Sequence, residues 1–262
     1  MSALTGTWKV VEGEAIAYRR VWRGSAITYF VNPVLFLSAM GVGLGSLVDR
    51  GGADLGITYL PFVATGLLAA SSMQNGAGDG AWAVMAGIKW RKNFHAAVAT
   101  PVSPSELVTG RLVWGAIRNA AVLAIFVVIA ALFGAISVGP GLLALFPAVL
   151  TGVAFTAAVT AFTVTRDDET SLSTLFRFGI VPLYLFSGTF FPIAQLPDFM
   201  QRIAWATPLF HGVELVRKVA IPDAPPEVVS SLPAWAHVLY LAVMTVVATW
   251  LAARWMTRRL KP

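Results

Sequence analysis

Ser71, Ser72, Gln74, Asn75 and Asp79 stand close together in an otherwise apolar stretch, and Gly76, Gly78 and Gly80 are interleaved with the last of them. Neutral hydrogen-bonding groups in an apolar setting have two uses. They line a wet cavity through which a polar group passes, or they hydrogen-bond one helix to another. All five are candidates for a transport path. A carboxyl such as Asp79 has a further use in acid–base chemistry, but aspartyl catalysis takes two carboxyls sharing one proton.

The string Gly76-Ala77-Gly78-Asp79 resembles the G-x-G-D pattern of intramembrane aspartyl proteases. No second Asp or Glu falls in any other long apolar run, so an intramembrane enzyme using Asp79 is the alternative reading. In the structural reading, Gly76 and Gly80, four apart, allow close helix packing while Asp79 sits near the cytoplasmic end of its helix. Other chemistries are absent. No Gly-Lys pair exists to build a phosphate-cradling loop, so ATP and Mg, if used, belong to another chain. The three histidines, His95, His211 and His237, lack metal-ligand spacing and read as polar interfacial residues. The chain has no cysteine, which removes disulfides, thiolate metal sites and cysteine nucleophiles. The chain is expected to bind no cofactor or metal and to be no enzyme by itself.

The elements that carry these residues are set by a composition of 57 % hydrophobic and 12 % charged residues, against about 25 % charged in soluble domains. A membrane crossing takes about 20 apolar helical residues. Six runs qualify, near 25–48, 58–86, 115–136, 141–165, 172–191 and 234–255. The reading is an all-α integral membrane protein with a domain from 25 to 262. It is preceded by a cytoplasmic amphipathic interface helix over 1–24, in which Trp8, Val11, Ala15, Tyr18 and Trp22 mark one face. Net charge is +6. The basic residues gather in four segments: before the first run, from Lys89 to Arg118, from Arg166 to Arg177, and in the tail with Arg254, Arg258, Arg259 and Lys261. Arg50, Arg202, Arg217 and Lys218 fall in the other loops, beside Asp49, Asp54, Asp198, Glu214, Asp223 and Glu227. Lys and Arg mark the cytoplasm, so both termini are expected there, and the membrane explains the basic charge better than nucleic acid does.

Two polar segments carry a family resemblance. From Lys89 the chain reads Lys89-Trp90-Arg91-Lys92-Asn93-Phe94-His95, then Val98-Ala99-Thr100-Pro101 and Ser103-Pro104, a short helix stopped by prolines. This is similar to the cytoplasmic coupling element of ABC-2 type ABC transporter permeases, with Val98 where Leu is commoner. The second segment reads Ser187-Gly188-Thr189-Phe190-Phe191-Pro192, then Trp205-Ala206-Thr207-Pro208 and Val213-Glu214-Leu215-Val216-Arg217. It resembles the external series that precedes the last span in that family. Phe36 to Leu47, Tyr59-Leu60-Pro61-Phe62 and Gly87-Ile88-Lys89-Trp90 look most like the nodulation-type lipo-oligosaccharide exporters, whose relatives include drug efflux permeases.

The resemblance implies a bacterial inner-membrane permease that pairs with a second permease copy, identical or related, and docks a separate ATP-binding cassette subunit. It implies ATPase coupling by Lys89, Arg91, Lys92, Phe94, Val98, Thr100 and Pro101, with Phe94 and Val98 filling an apolar groove on the ATPase. Glu12, Glu14, Arg19 and Arg20 of the interface helix would lie alongside. Short re-entrant external helices would be built on Gly188, Phe190, Phe191, Pro192, Pro208, Glu214 and Arg217. The implied substrate is lipid-linked, a glycolipid or otherwise amphipathic. The same residues have plainer readings as positive-inside anchors, a solvated helix face and interfacial aromatics.

Overall fold

The computed structural model describes residues 3–51 and 56–260. Asp54 and Lys261, two charges used above, lie outside the described residues. Among those residues the fold is helical with no strand, and besides a 3-10 turn at Ile193–Gln195 it has ten helices. In chain order they are α1 (Ala3–Tyr18), α2 (Trp22–Arg50), α3 (59–90), α4 (Asn93–Val98), α5 (Pro104–Leu132), α6 (Val138–Val164), α7 (Thr170–Phe186), α8 (Asp198–Trp205), α9 (Pro208–Ala220) and α10 (Ala234–Leu260).

Four helices, α2, α5, α6 and α10, are long and apolar enough to cross a membrane. The other two expected spans are α3, which is long but carries the polar run, and α7, which is shorter and leaves the helix at Phe186 rather than Phe191. The third expected span begins well before Gly115. Ser103 caps α5 by accepting from the Glu106 amide at 3.3 Å while the Glu106 carboxylate accepts from the Ser103 amide at 2.7 Å, with Pro104 in the first turn. Arg111 therefore stands on the same helix as Arg118 and not in a loop.

Wide π turns interrupt α2 over Leu37–Leu44, α3 over Asp79–Ala83 and Ala86–Trp90, and α7 over Phe176–Ile180. Such turns re-aim side chains without ending the helix. Helix α6 is central, packed by α3, α5, α9 and α10. Glycines set its distance from α3. Gly76 lies against the Gly152 carbonyl, and a Cβ at Gly80 would stand 2.7 Å from the Thr156 carbonyl oxygen.

The connections separate into two ends. Phe94, Leu107, Met256 and Leu260 share one apolar cluster, which places the α3–α5 connection and the carboxy-terminal end of α10 together. Helix α1 lies along α5 at that same end. At the other end Asp49 accepts from the Tyr59 amide at 3.0 Å, and the Tyr59 hydroxyl donates to the Phe190 carbonyl at 2.9 Å.

Candidate functional site

The polar run on α3 divides by face. Ser72 is buried and donates to the Ala148 carbonyl of α6 at 2.5 Å. It accepts from the Asn119 amide of α5 at 2.7 Å, and Asn75 donates to the Asn119 carbonyl oxygen at 3.1 Å. These bonds staple α3, α5 and α6 where glycines bring the helices close. Ser71, Gln74 and Asn75 line a cleft with Tyr29 and Asn32 of α2 and Tyr184 of α7. The sequence reading missed Asn119, a single amide in an apolar run whose position on α5 faces α3.

Asp79 pairs with Arg118 of α5, and Glu14 of α1 pairs with Arg111 two turns earlier on the same face of α5. All four charges border one cleft, with Thr156 and Thr160 of α6 opposite. Each carboxylate faces a guanidinium, so no proton-sharing dyad is assembled and the G-x-G-D string is a packing and ion-pair element. Such a pair is tolerable at membrane depth because each charge has a desolvated partner. Both arginines had been counted only toward the positive-inside balance.

The packed face of α1 keeps Val11 and Tyr18 of the expected stripe and leaves out Trp8 and Trp22. Val11 is buried and Glu14 and Tyr18 face the protein, with the Tyr18 ring edge-on to Trp114 at 5.8 Å, while Trp8 and Trp22 are exposed. Trp22 begins α2, beyond a turn that breaks the period. Glu12 pairs with Lys9 of its own helix at 3.2 Å on an exposed surface, and Arg19 and Arg20 are exposed in the turn. A surface pair of that kind adds little stability.

In the coupling stretch the expected role of Phe94 is corrected. It is 2 % exposed, packed on Gly87 with the Arg111 guanidinium 5.0 Å from its ring, so it fills this chain's own core and is not free to fill a partner's groove. Val98 is half-buried against the same cluster. Lys92 adopts φ +52, a left-handed turn that starts α4 after α3. Lys89 donates to the Asp167 carbonyl at 3.0 Å and Trp90 to Glu169 at 3.0 Å, tying α3 to the α6–α7 loop. Arg259 of α10 joins the same loop through the Arg166 carbonyl at 2.7 Å and Asp167 at 2.6 Å. What remains outward is Arg91, Lys92, His95, Ala96, Thr100 and Pro101.

The external motif closes around Arg217. It is 2 % exposed, its guanidinium lies 3.8 Å from the Phe62 ring centroid, and it donates to the Gly188 carbonyl at 2.6 Å. Gly188 has φ +84, which a side chain would strain. Thr189 lies on Gly66 of α3 so closely that no Cβ fits there. Phe190 packs edge-on to Tyr184 at 5.1 Å, Phe191 faces Phe186 at 6.4 Å, and Pro192 is buried. Pro208 opens α9, and buried Glu214 accepts from the Ser230 amide at 2.5 Å. The chain thus leaves α7 early and returns through α8 and α9, whose backbone is satisfied by the protein itself.

The sequence is similar to those of known proteins. The family model described as ABC-2 type transporter matches residues 6–221, most of the chain. The chain belongs to the ABC-2 type transporter family. It is 30 % identical over 248 residues to "Nodulation protein J" of Sinorhizobium fredii, covering 94 % of this chain and 90 % of that relative. It is 29 % identical over 248 residues to the protein of the same name from Rhizobium leguminosarum bv. trifolii, with the same coverage. To "Inner membrane transport permease YadH" of Escherichia coli it is 25 % identical over 200 residues, 75 % of each chain. As an ABC-2 chain it is a membrane permease, and the family works with an ATP-binding subunit.

Proposed function

We propose that this chain is the transmembrane subunit of an ATP-driven exporter that moves a lipid-linked or other amphipathic substrate out of the cytoplasm or inner leaflet. A separate cassette ATPase, carrying ATP and Mg, powers it from the end that holds α1 and α4, and a second permease copy completes the pathway. The observation that carries this reading is the seating of α4. Phe94 anchors it onto Gly87 and Arg111, so a push on its outward face is transmitted to α3 and α5. Arg91, Lys92, His95, Thr100 and Pro101 form the outward surface to be pushed. Helix α3 leads from that point to Asp79 and the Ser71, Gln74 and Asn75 cleft, which suits the polar part of a substrate while the membrane holds its apolar part.

The test is ATP hydrolysis by this chain co-expressed with its ATPase in nanodiscs, comparing wild type with His95→Glu plus Ala96→Glu. These residues are exposed, so the permease stays folded. Loss of assembly-dependent hydrolysis supports the reading. Hydrolysis unchanged in the variant, or no ATPase retained by the wild-type chain, overturns it.

A further inference from the structure

At the end opposite α1, two histidines far apart in sequence meet. Nδ1 of His211 on α9 lies 2.8 Å from Nδ1 of His237 on α10, and both rings are buried, at 7 % and 0 % exposure. The Tyr240 ring stacks on His211 at 4.0 Å, and Phe210 stands edge-on to both imidazoles. We propose that His211 and His237 form a proton-sensitive latch that clamps α9 onto α10, closed while the pair holds at most one extra proton and released when both rings are protonated.

The argument is one of hydrogen inventory. An Nδ1···Nδ1 contact of 2.8 Å is a hydrogen bond only if one nitrogen carries a proton and the other offers a lone pair. The neutral pair meets this with one ring as the Nδ1–H tautomer. A singly protonated pair meets it with an imidazolium donating to an imidazole. The doubly protonated pair cannot, because two N–H groups and two like charges would then face each other at that distance in a buried site. Histidine is the side chain whose ordinary titration lies near neutral pH, so the control variable is the proton concentration outside.

The ionisable groups close to the pair are few. From α9, Glu214 is the acidic group nearby, held by the Ser230 amide, and Lys218 is the basic one, donating to the Ser230 and Leu232 carbonyls at 2.8 and 2.5 Å. From α10 the titratable neighbour is Tyr240, whose hydroxyl donates to the Ala206 carbonyl at 2.7 Å. Helix α6 meets α9 through Thr151 at Gly212 and carries no ionisable residue. The Ser230 hydroxyl stands 3.5 Å from Nε2 of His237, so the latch also reaches the α9–α10 connection. Releasing it frees the face of α9 that carries His211, while Arg217 still holds α9 to α3. This inference does not depend on what the chain transports.

The chain has three histidines, so few ring signals have to be assigned. The experiment labels histidine rings with 15N in the full chain in nanodiscs and follows them from about pH 7.5 to about pH 5, together with hydrogen exchange of residues 208–220. The latch predicts that His211 and His237 titrate as a coupled pair in two separate steps. Protection of α9 should then fall about tenfold per pH unit through that second step. His237→Asn, which keeps a donor and an acceptor, should flatten that pH dependence. Independent titration of the two rings, or unchanged α9 protection through the second step, overturns the latch even if the variant fails to fold.

Discussion

The Arg217 guanidinium lies 3.8 Å from the Phe62 ring centroid and donates to the Gly188 carbonyl at 2.6 Å, so one buried cation joins α9, the 187–192 loop and α3. Arg217→Ala leaves that carbonyl without its donor and opens a cavity against Phe62. A loss of about 3 kcal/mol is expected, read as a lowered thermal unfolding midpoint in detergent. Arg217→Lys should recover only part of it, because an ammonium cannot cover the ring and reach the carbonyl together.

Asp79 and Arg118 give a double-mutant cycle. Asp79→Asn and Arg118→Gln should each destabilise by leaving a desolvated charge, and the double variant should be less harmed than the sum of the two. A coupling of about 1–3 kcal/mol is expected. Additive effects in unfolding experiments would mean that the two residues do not meet.

Asn119→Ala removes the group that joins Ser72 to Asn75. Interhelical hydrogen bonds in membranes are worth about 0.6 kcal/mol on average, so the two bonds predict a cost of about 1 kcal/mol. Gln74→Ala, on the open cleft, should leave stability unchanged and alter only transport measured in vesicles.

Phe94→Ala should behave as a core deletion, destabilising by about 3–4 kcal/mol as measured by unfolding of the isolated permease. Equal stability of Phe94→Ala and wild type, with a defect only in ATPase association, would return Phe94 to the partner-facing role expected from sequence.

Gly188→Ala tests the external loop. The left-handed backbone there costs a side chain about 1–2 kcal/mol, and Ile193 lies 3.2 Å from the added Cβ. The expected result is faster hydrogen exchange of 187–197 with the helices on either side unaffected.

That the chain is a helical membrane protein is legible from its residues alone, because apolar runs long enough to cross a bilayer leave no other way to satisfy their backbone. Also legible are the coupling stretch and the external series, whose Pro, Gly and Thr residues constrain the chain locally. Tertiary structure decided the pairings. Arg118 with Asp79, Arg111 with Glu14, Asn119 with Ser72 and His211 with His237 each join residues at least 26 positions apart. No local period shows which of two polar residues on different helices will meet. The same limit explains Phe94 and Trp8. Periodicity gives the apolar positions of a helix, but whether one faces core, lipid or partner depends on how neighbouring helices are turned, and close-packed glycines such as Gly87, Gly110 and Gly152 fix that here.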